Sequence, residues 1–196
     1  MVSVMSRIEI LRREVADLYN AKHTDRADWA DWMLEGHVIP VANASREVAA
    51  RFGGDPELAE AAGLLHDIAD AVMKRENPMH EAKSLEMARM FLEKVGFTNG
   101  EIEIVVDDAI AKHSCHGEVR PSTKEGKALA AGDAVVHIKS DFYDYAESRI
   151  KEFLAAEQIS AWVLPKLDRD FTKKISYDSL REEVRPGYEL LKERFK

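Results

Sequence analysis

An all-α fold is the architecture this 196-residue sequence predicts, on three observations. Apolar residues recur at steps of three and four through most of the chain, which places them on one face of a helix. No segment sustains the apolar–polar alternation of a half-buried strand. Ala, Glu, Leu, Lys and Arg dominate, as helices favour, and Gly 10 with Pro 6 is little punctuation for an all-β protein.

Each element follows from that spacing. Residues 7–21 read as one helix, with Ile8, Leu11, Val15 and Leu18 on one face. Asp28 to Glu35 is a short helix carrying Trp29 and Trp32. Val41, Ala44, Val48 and Phe52 mark the next, ended by Gly53-Gly54. Pro40 either sits in its first turn or kinks a longer helix. Asp55-Pro56-Glu57 is a good helix start, and Leu58, Ala61, Leu65, Ile68 and Val72 follow as one stripe. Residues 80–95 carry Leu85, Ala88, Leu92 and Val95 and stop at Gly96. Residues 101–113 carry Ile102, Val106 and Ala109. A polar loop, Gly117 to Thr123, leads to a helix over 123–139 with Leu129 and Val136. Beyond residue 140 two or three more helices carry the aromatics Phe142, Tyr143, Tyr145, Phe153, Trp162, Phe171, Tyr177 and Tyr188, with breaks at Pro165 and Pro186.

Composition narrows the class. Charged residues are 33% and hydrophobic residues 45%, a globular balance rather than a disordered one. The length fits one domain over 1–196, with a helical core over about 28–140 and a C-terminal extension over about 141–196. No apolar run is long enough for a transmembrane helix, and Arg7, Glu9, Arg12 and Arg13 interrupt any signal-peptide pattern. A single cysteine, Cys115, forms no intrachain disulfide, so a cytoplasmic location is expected. Asp+Glu 36 against Lys+Arg 28 gives a net charge of −8, which argues against long nucleic acid as a partner.

The informative residues are ionisable ones on apolar faces. His37 lies four before Val41, on the row that continues to Ala44 and Val48. His66 lies four after Ala62, beside the main stripe, with Asp67 about 100° round the helix axis. His80 aligns with Ser84, Met87 and Phe91; His113 follows Val106 and Ala109; Asp133 lies between Leu129 and Val136. Burying unpaired carboxylates costs several kcal/mol, which a bound divalent cation removes. Imidazole and carboxylate together suit Mn, Fe, Co, Ni or Zn better than Mg.

A lone histidine near an apolar stripe is most often an ordinary core or surface residue. The pair inside Leu64-Leu65-His66-Asp67-Ile68-Ala69-Asp70 is different, because charged neighbours do not belong in a strongly apolar helix. His23, in a polar stretch, reads as an exposed loop residue. His116 is a candidate for substrate or second-metal contact, and Cys115 a lesser one. His137, one turn after Asp133, reads as support for a ligand or as surface; Asp70 reads as a supporting acceptor or a solvated carboxylate. Met87, Met90 and Phe91 read as core.

Taken in order, His37, His66-Asp67 and Asp133 resemble the signature of the HD-domain metal-dependent phosphohydrolase superfamily: an early His, a His-Asp pair on a later helix, and a distant Asp. Ala61-Ala62-Gly63-Leu64-Leu65-His66-Asp67-Ile68 looks like that family's central helix. His80 opens a helix as in many members, Ile110-Ala111-Lys112-His113-Ser114 resembles the helix end that supplies another histidine, and Ala130-Ala131-Gly132-Asp133-Ala134 resembles the last-ligand helix. The resemblance covers roughly residues 30–140.

It implies an HD-domain helical bundle with a helical C-terminal extension. It implies a divalent metal ion (Mn, Fe, Co, Ni, Zn or Mg) held by His37, His66, Asp67 and Asp133, with His80 and His113 for a second metal; one is preferred to two. It implies hydrolysis of a small phosphorylated substrate, such as a nucleotide or other phosphate ester, by a metal-activated water. Asp67 would take the water's proton, and His80 or His113 would assist the leaving oxygen. Lys83, Lys112 and His116 are candidates for substrate contact. No Gly-rich phosphate cradle is present. The tyrosine-rich C-terminal helices are candidates for the pocket walls. Three other functions stay open: a non-catalytic metal- or nucleotide-binding regulatory module, a di-iron oxygenase on the same fold, and an α-helical interaction protein with structural histidines.

Overall fold

The computed structural model describes residues 5–196, and among them there is no strand. Helix α1 (Arg7–Asn20) starts at Ser6, whose hydroxyl caps the Glu9 amide while the Glu9 carboxylate returns to the Ser6 amide. The chain is then helical without a break from Ala30 to Phe52, through α2 (Ala30–Met33), a π-helical turn (Leu34–Val38) and α3 (Ile39–Phe52). Pro40 has no N–H for the ladder, and the wide turn just before it, closed by the Ile39 amide on the Leu34 carbonyl, absorbs the mismatch. Gly53 ends α3 in the left-handed conformation (φ 88°).

Helix α4 (Pro56–Leu65) begins where Asp55 caps it, its carboxylate accepting from the Glu57 and Leu58 amides. The continuous helix expected through Val72 is corrected. It stops at Leu65, and a 3-10 turn (Ile68–Ala71) follows. The His66 ring supplies the reason: its Nδ1 donates to the Gly63 carbonyl at 2.8 Å, the acceptor that the Asp67 amide would use in a continued helix.

Next come α5 (His80–Lys94) and α6 (Asn99–Ile102), which runs into a π-helical stretch (Glu103–Ile110), then α7 (Lys124–Lys139). The C-terminal part holds α8 (Phe142–Ile150), α9 (Ala156–Arg169), a π-helical continuation (Asp170–Lys174) and α10 (Asp178–Arg194). The breaks expected at Pro165 and Pro186 are also corrected, since both prolines lie inside helices. Both face solvent. Burial of Ile159, Val163 and Leu167 on α9, and of Leu180, Val184 and Tyr188 on α10, outweighs the ~3 kcal/mol cost of an internal proline. Among the described residues no helix is long and apolar enough to cross a membrane.

Two apolar clusters meet at α7. Leu129 and Val136 join a core made by α1 to α6, whereas Ala128, Ala131, Ala134 and Ile138 join one made largely by the C-terminal helices. Helix α3 packs along both α4 and α7. Two glycines permit that approach: a Cβ on Gly63 would lie 2.5 Å from the Ala42 Cα, and one on Gly132 would lie 2.6 Å from the Ser45 Oγ. The tight three-helix contact brings the start of α3, the end of α4 and the middle of α7 to one point.

Candidate metal centre and its cavity

At that point His37 from the π-helical turn, His66 from the end of α4 and Asp133 from α7 converge. His37 Nε2 lies 3.1 Å from His66 Nε2 and 3.4 Å from Asp133 Oδ1. These three residues, all buried, offer ligand atoms within 4.8 Å of one another. A second group of the same kind, His66, Asp67 and His113, shares His66 with the first. His66 Nε2 lies 3.6 Å from Asp67 Oδ2.

The hydrogen bonds behind these rings set their tautomers. A carbonyl only accepts, so His66 Nδ1 carries the proton it gives to Gly63. His113 Nδ1 likewise donates to the Ile110 carbonyl at 2.7 Å. Both rings therefore turn an Nε2 lone pair inward, as a metal-binding imidazole does. Burial pushes His37 well down and His113 to about 4, which keeps both neutral near pH 7. Asp133 Oδ1 is buried with no hydrogen-bond donor. His137 Nε2 is only 3.1 Å from that oxygen but misaligned for a bond. Neutral imidazoles facing an orphaned carboxylate oxygen form a donor set that fits a divalent transition-metal ion.

Both carboxylates are also balanced by the chain itself. Arg75 Nη1 and Nη2 donate to the two Asp67 oxygens at 2.8 and 2.6 Å. Lys174 pairs with the other oxygen of Asp133. Burial raises both carboxyl groups, but their neighbours outweigh it and hold both well below the usual range: chiefly the Arg75 cation at Asp67, and the His137 ring with the Lys174 cation at Asp133. Behind Asp133, His137 Nδ1 donates to Asp170 Oδ2 at 2.9 Å, and Tyr143 donates to the same oxygen at 3.0 Å. The His137 ring stacks on His37, 5.1 Å away between centroids.

The cluster opens into a cavity of about 410 Å³. His80 lines it, but its Nε2 pairs with Asp70 Oδ1 at 2.8 Å and it belongs to neither ligand group. His116 also lines it and is exposed. Lys83 and Lys112 are turned to Glu86 at 3.1 Å and Asp108 at 2.6 Å and do not line it. His23 is exposed, and Cys115 lines a separate cavity.

Sequence reasoning missed the basic wall: Arg75, Lys166, Arg169 and Lys174. A signal was available, because Trp162, Lys166, Asp170 and Lys174 recur every four residues along α9 and its continuation. Trp29, Trp32, Phe142 and Tyr145 complete an aromatic side, with Trp32 and Tyr145 stacked 4.3 Å apart.

The profile of the HD domain family matches residues 34–136. Among curated proteins, ribonuclease Y of Staphylococcus epidermidis is 34% identical over 99 residues, 50% of this chain and 17% of that protein. Ribonuclease Y of a Nitratiruptor species is 30% identical over 126 residues, 64% of this chain and 22% of that protein. The match thus spans about a fifth of these relatives' own length. A solved structure from an uncultured Thermotogales bacterium, described as a predicted HD superfamily hydrolase, superposes with a TM-score of 0.60. It covers 93% of this chain and 87% of that one at 20% identity, so the two share a fold.

Proposed function

The chain belongs to the HD-domain family, and from that premise we propose that it is a metal-dependent phosphohydrolase acting on a small phosphorylated substrate, a nucleotide or another phosphate ester. One observation carries the reading: the His37 ring and the inward lone pairs of His66 and His113 meet the carboxylates of Asp67 and Asp133 at the wall of a cavity that also carries four arginine and lysine side chains.

His37, His66, Asp67 and Asp133 would hold the ion, with His113 next to His66 and Asp67 as a further ligand or a substrate contact. A bound divalent ion supplies an acidified water and a Lewis acid for a phosphoryl oxygen. The remaining roles belong to the chain. Arg75 fixes both oxygens of Asp67, which holds that carboxylate ionised and aimed at the cluster. His80, oriented by Asp70, faces the cavity and is placed to hand a proton to a leaving oxygen. The aromatic side excludes water from one flank of the bound substrate.

The test is phosphate release from nucleotides and generic phosphate esters with Mn, Co, Ni or Mg. Asp67→Ala should cut release by more than the roughly 100-fold that loss of a supporting partner costs, while circular dichroism keeps its helical shape. Activity that survives this change removes Asp67 from its role. The ribonuclease Y relatives favour a second reading, cleavage of RNA, and a short oligoribonucleotide belongs in the same screen. The net charge of −8 weighs against it.

A further inference from the structure

Three of the four arginine and lysine side chains in the cavity wall have carboxylates of their own. Arg75 clamps Asp67 and reaches Asp70 at 3.3 Å. Lys166 is 3.3 Å from Asp170. Lys174 pairs with Asp133 and lies 3.6 Å from Asp170. Arg169 stands apart. No carboxylate of the described residues pairs with it, and its Nε is buried without a hydrogen-bond partner. Glu81, the other carboxylate of the wall, is exposed on α5 and bonded to neither Arg169 nor His116.

A guanidinium presents five donors in a planar fork that matches the oxygens of a phosphate. Native proteins rarely leave such a donor buried and unmet, so this one calls for an acceptor that the chain itself does not provide. His116 lines the same wall. Partial burial, and then the charge of Arg169, lower its pKa, and the neutral ring this favours still has one N–H to give. Neither residue contributes to the His/Asp ligand groups.

We propose that Arg169, with His116 beside it, binds a second anionic group of the substrate. The cavity would then take compounds with two charged groups, a pyrophosphate or polyphosphate ester, in preference to a lone monophosphate ester. The word substrate rests on the hydrolase reading; the anion-binding position does not.

Inorganic pyrophosphate, titrated calorimetrically in metal-free buffer with chelator, separates the two. Wild-type protein is expected to bind it. Arg169→Ala should weaken binding about tenfold or more, the usual size of a lost charge-assisted bond, and Arg169→Lys should recover only part. Unchanged Tm shows that the variants fold, and Arg169→Gln replaces the alanine variant if that melts early. Kinetics give a second readout: KM for a diphosphate ester rises about tenfold with kcat nearly constant, while KM for p-nitrophenyl phosphate stays put. Equal pyrophosphate affinity in Arg169→Ala and wild type, no pyrophosphate binding by wild type, or equal losses on both esters would overturn the proposal. If no phosphate compound turned over yet pyrophosphate binding still depended on Arg169, the hydrolase reading would fall and the anion position would stand.

Discussion

On one side of the cavity, His37, His66, Asp67 and His113 stand where helices are interrupted: a π-helical turn, the broken end of α4, and the turn after the second π-helical stretch. Asp133 comes from an unbroken helix, but one drawn close to α3 by Gly132. On the other side stand Lys166 and Lys174, with the buried Asp170 behind the wall between them, at four-residue steps along α9 and its continuation. The first side uses short side chains placed by the backbone. The second uses long cations reaching in from a helix whose apolar stripe does the packing, each held by a buried carboxylate. Ligand geometry is thus fixed by backbone contacts, and charge balance by buried ion pairs between side chains. The two sides should fail in different ways.

The largest effect is expected on the cation side. Lys174→Met leaves the buried Asp133 and Asp170 short of a positive charge, and should lower unfolding free energy by about 3–5 kcal/mol in urea melts. Added Mn should return part of that loss, because a bound cation stabilises the folded state and restores the missing charge. Full stability without Lys174 would mean that these carboxylates are balanced elsewhere. A smaller effect belongs to the backbone side. Gly63→Ala drives a methyl into the α3 backbone and should cost about 1–3 kcal/mol, seen as a lower Tm, with weaker metal binding as α3 and α4 separate. Unchanged melting and metal affinity would show that the close approach is not what places His37 and His66. Smallest of all, His23→Ala should shift stability by no more than ~0.5 kcal/mol and leave activity alone, since His23 is exposed and outside the cavity.

The same comparison explains what the sequence made legible. Apolar spacing reveals the helices, because each one buries a single stripe. His66-Asp67 is visible because charge inside an apolar run is physically odd. The break after Leu65 is not visible: it depends on a bond from a side chain to the Gly63 carbonyl, which leaves no mark on the spacing. The prolines at 165 and 186 mislead for the opposite reason, since burial along α9 and α10 overrides a local cost. Lys83 and Lys112 drew attention by lying near histidines in sequence, yet each meets a carboxylate on its own helical surface. Arg75 lies only a few residues beyond Asp67 and Asp70, but the turns after α4 that fold it back onto them leave no mark on the spacing, and Arg169 comes from a helix distant in sequence, so that only the fold brings it in. His137 and Asp170 form a buried support behind Asp133 that joins α7 to the C-terminal helices, a long-range pairing no local pattern encodes.

The most direct measurement is an anomalous-difference map from crystals of the protein supplied with Mn or Ni. One peak bound by His37, His66 and Asp133, with Asp67 at its edge, is the predicted result. An empty cluster, or a peak held only by other residues, would contradict the convergence of separate helices on a single ion.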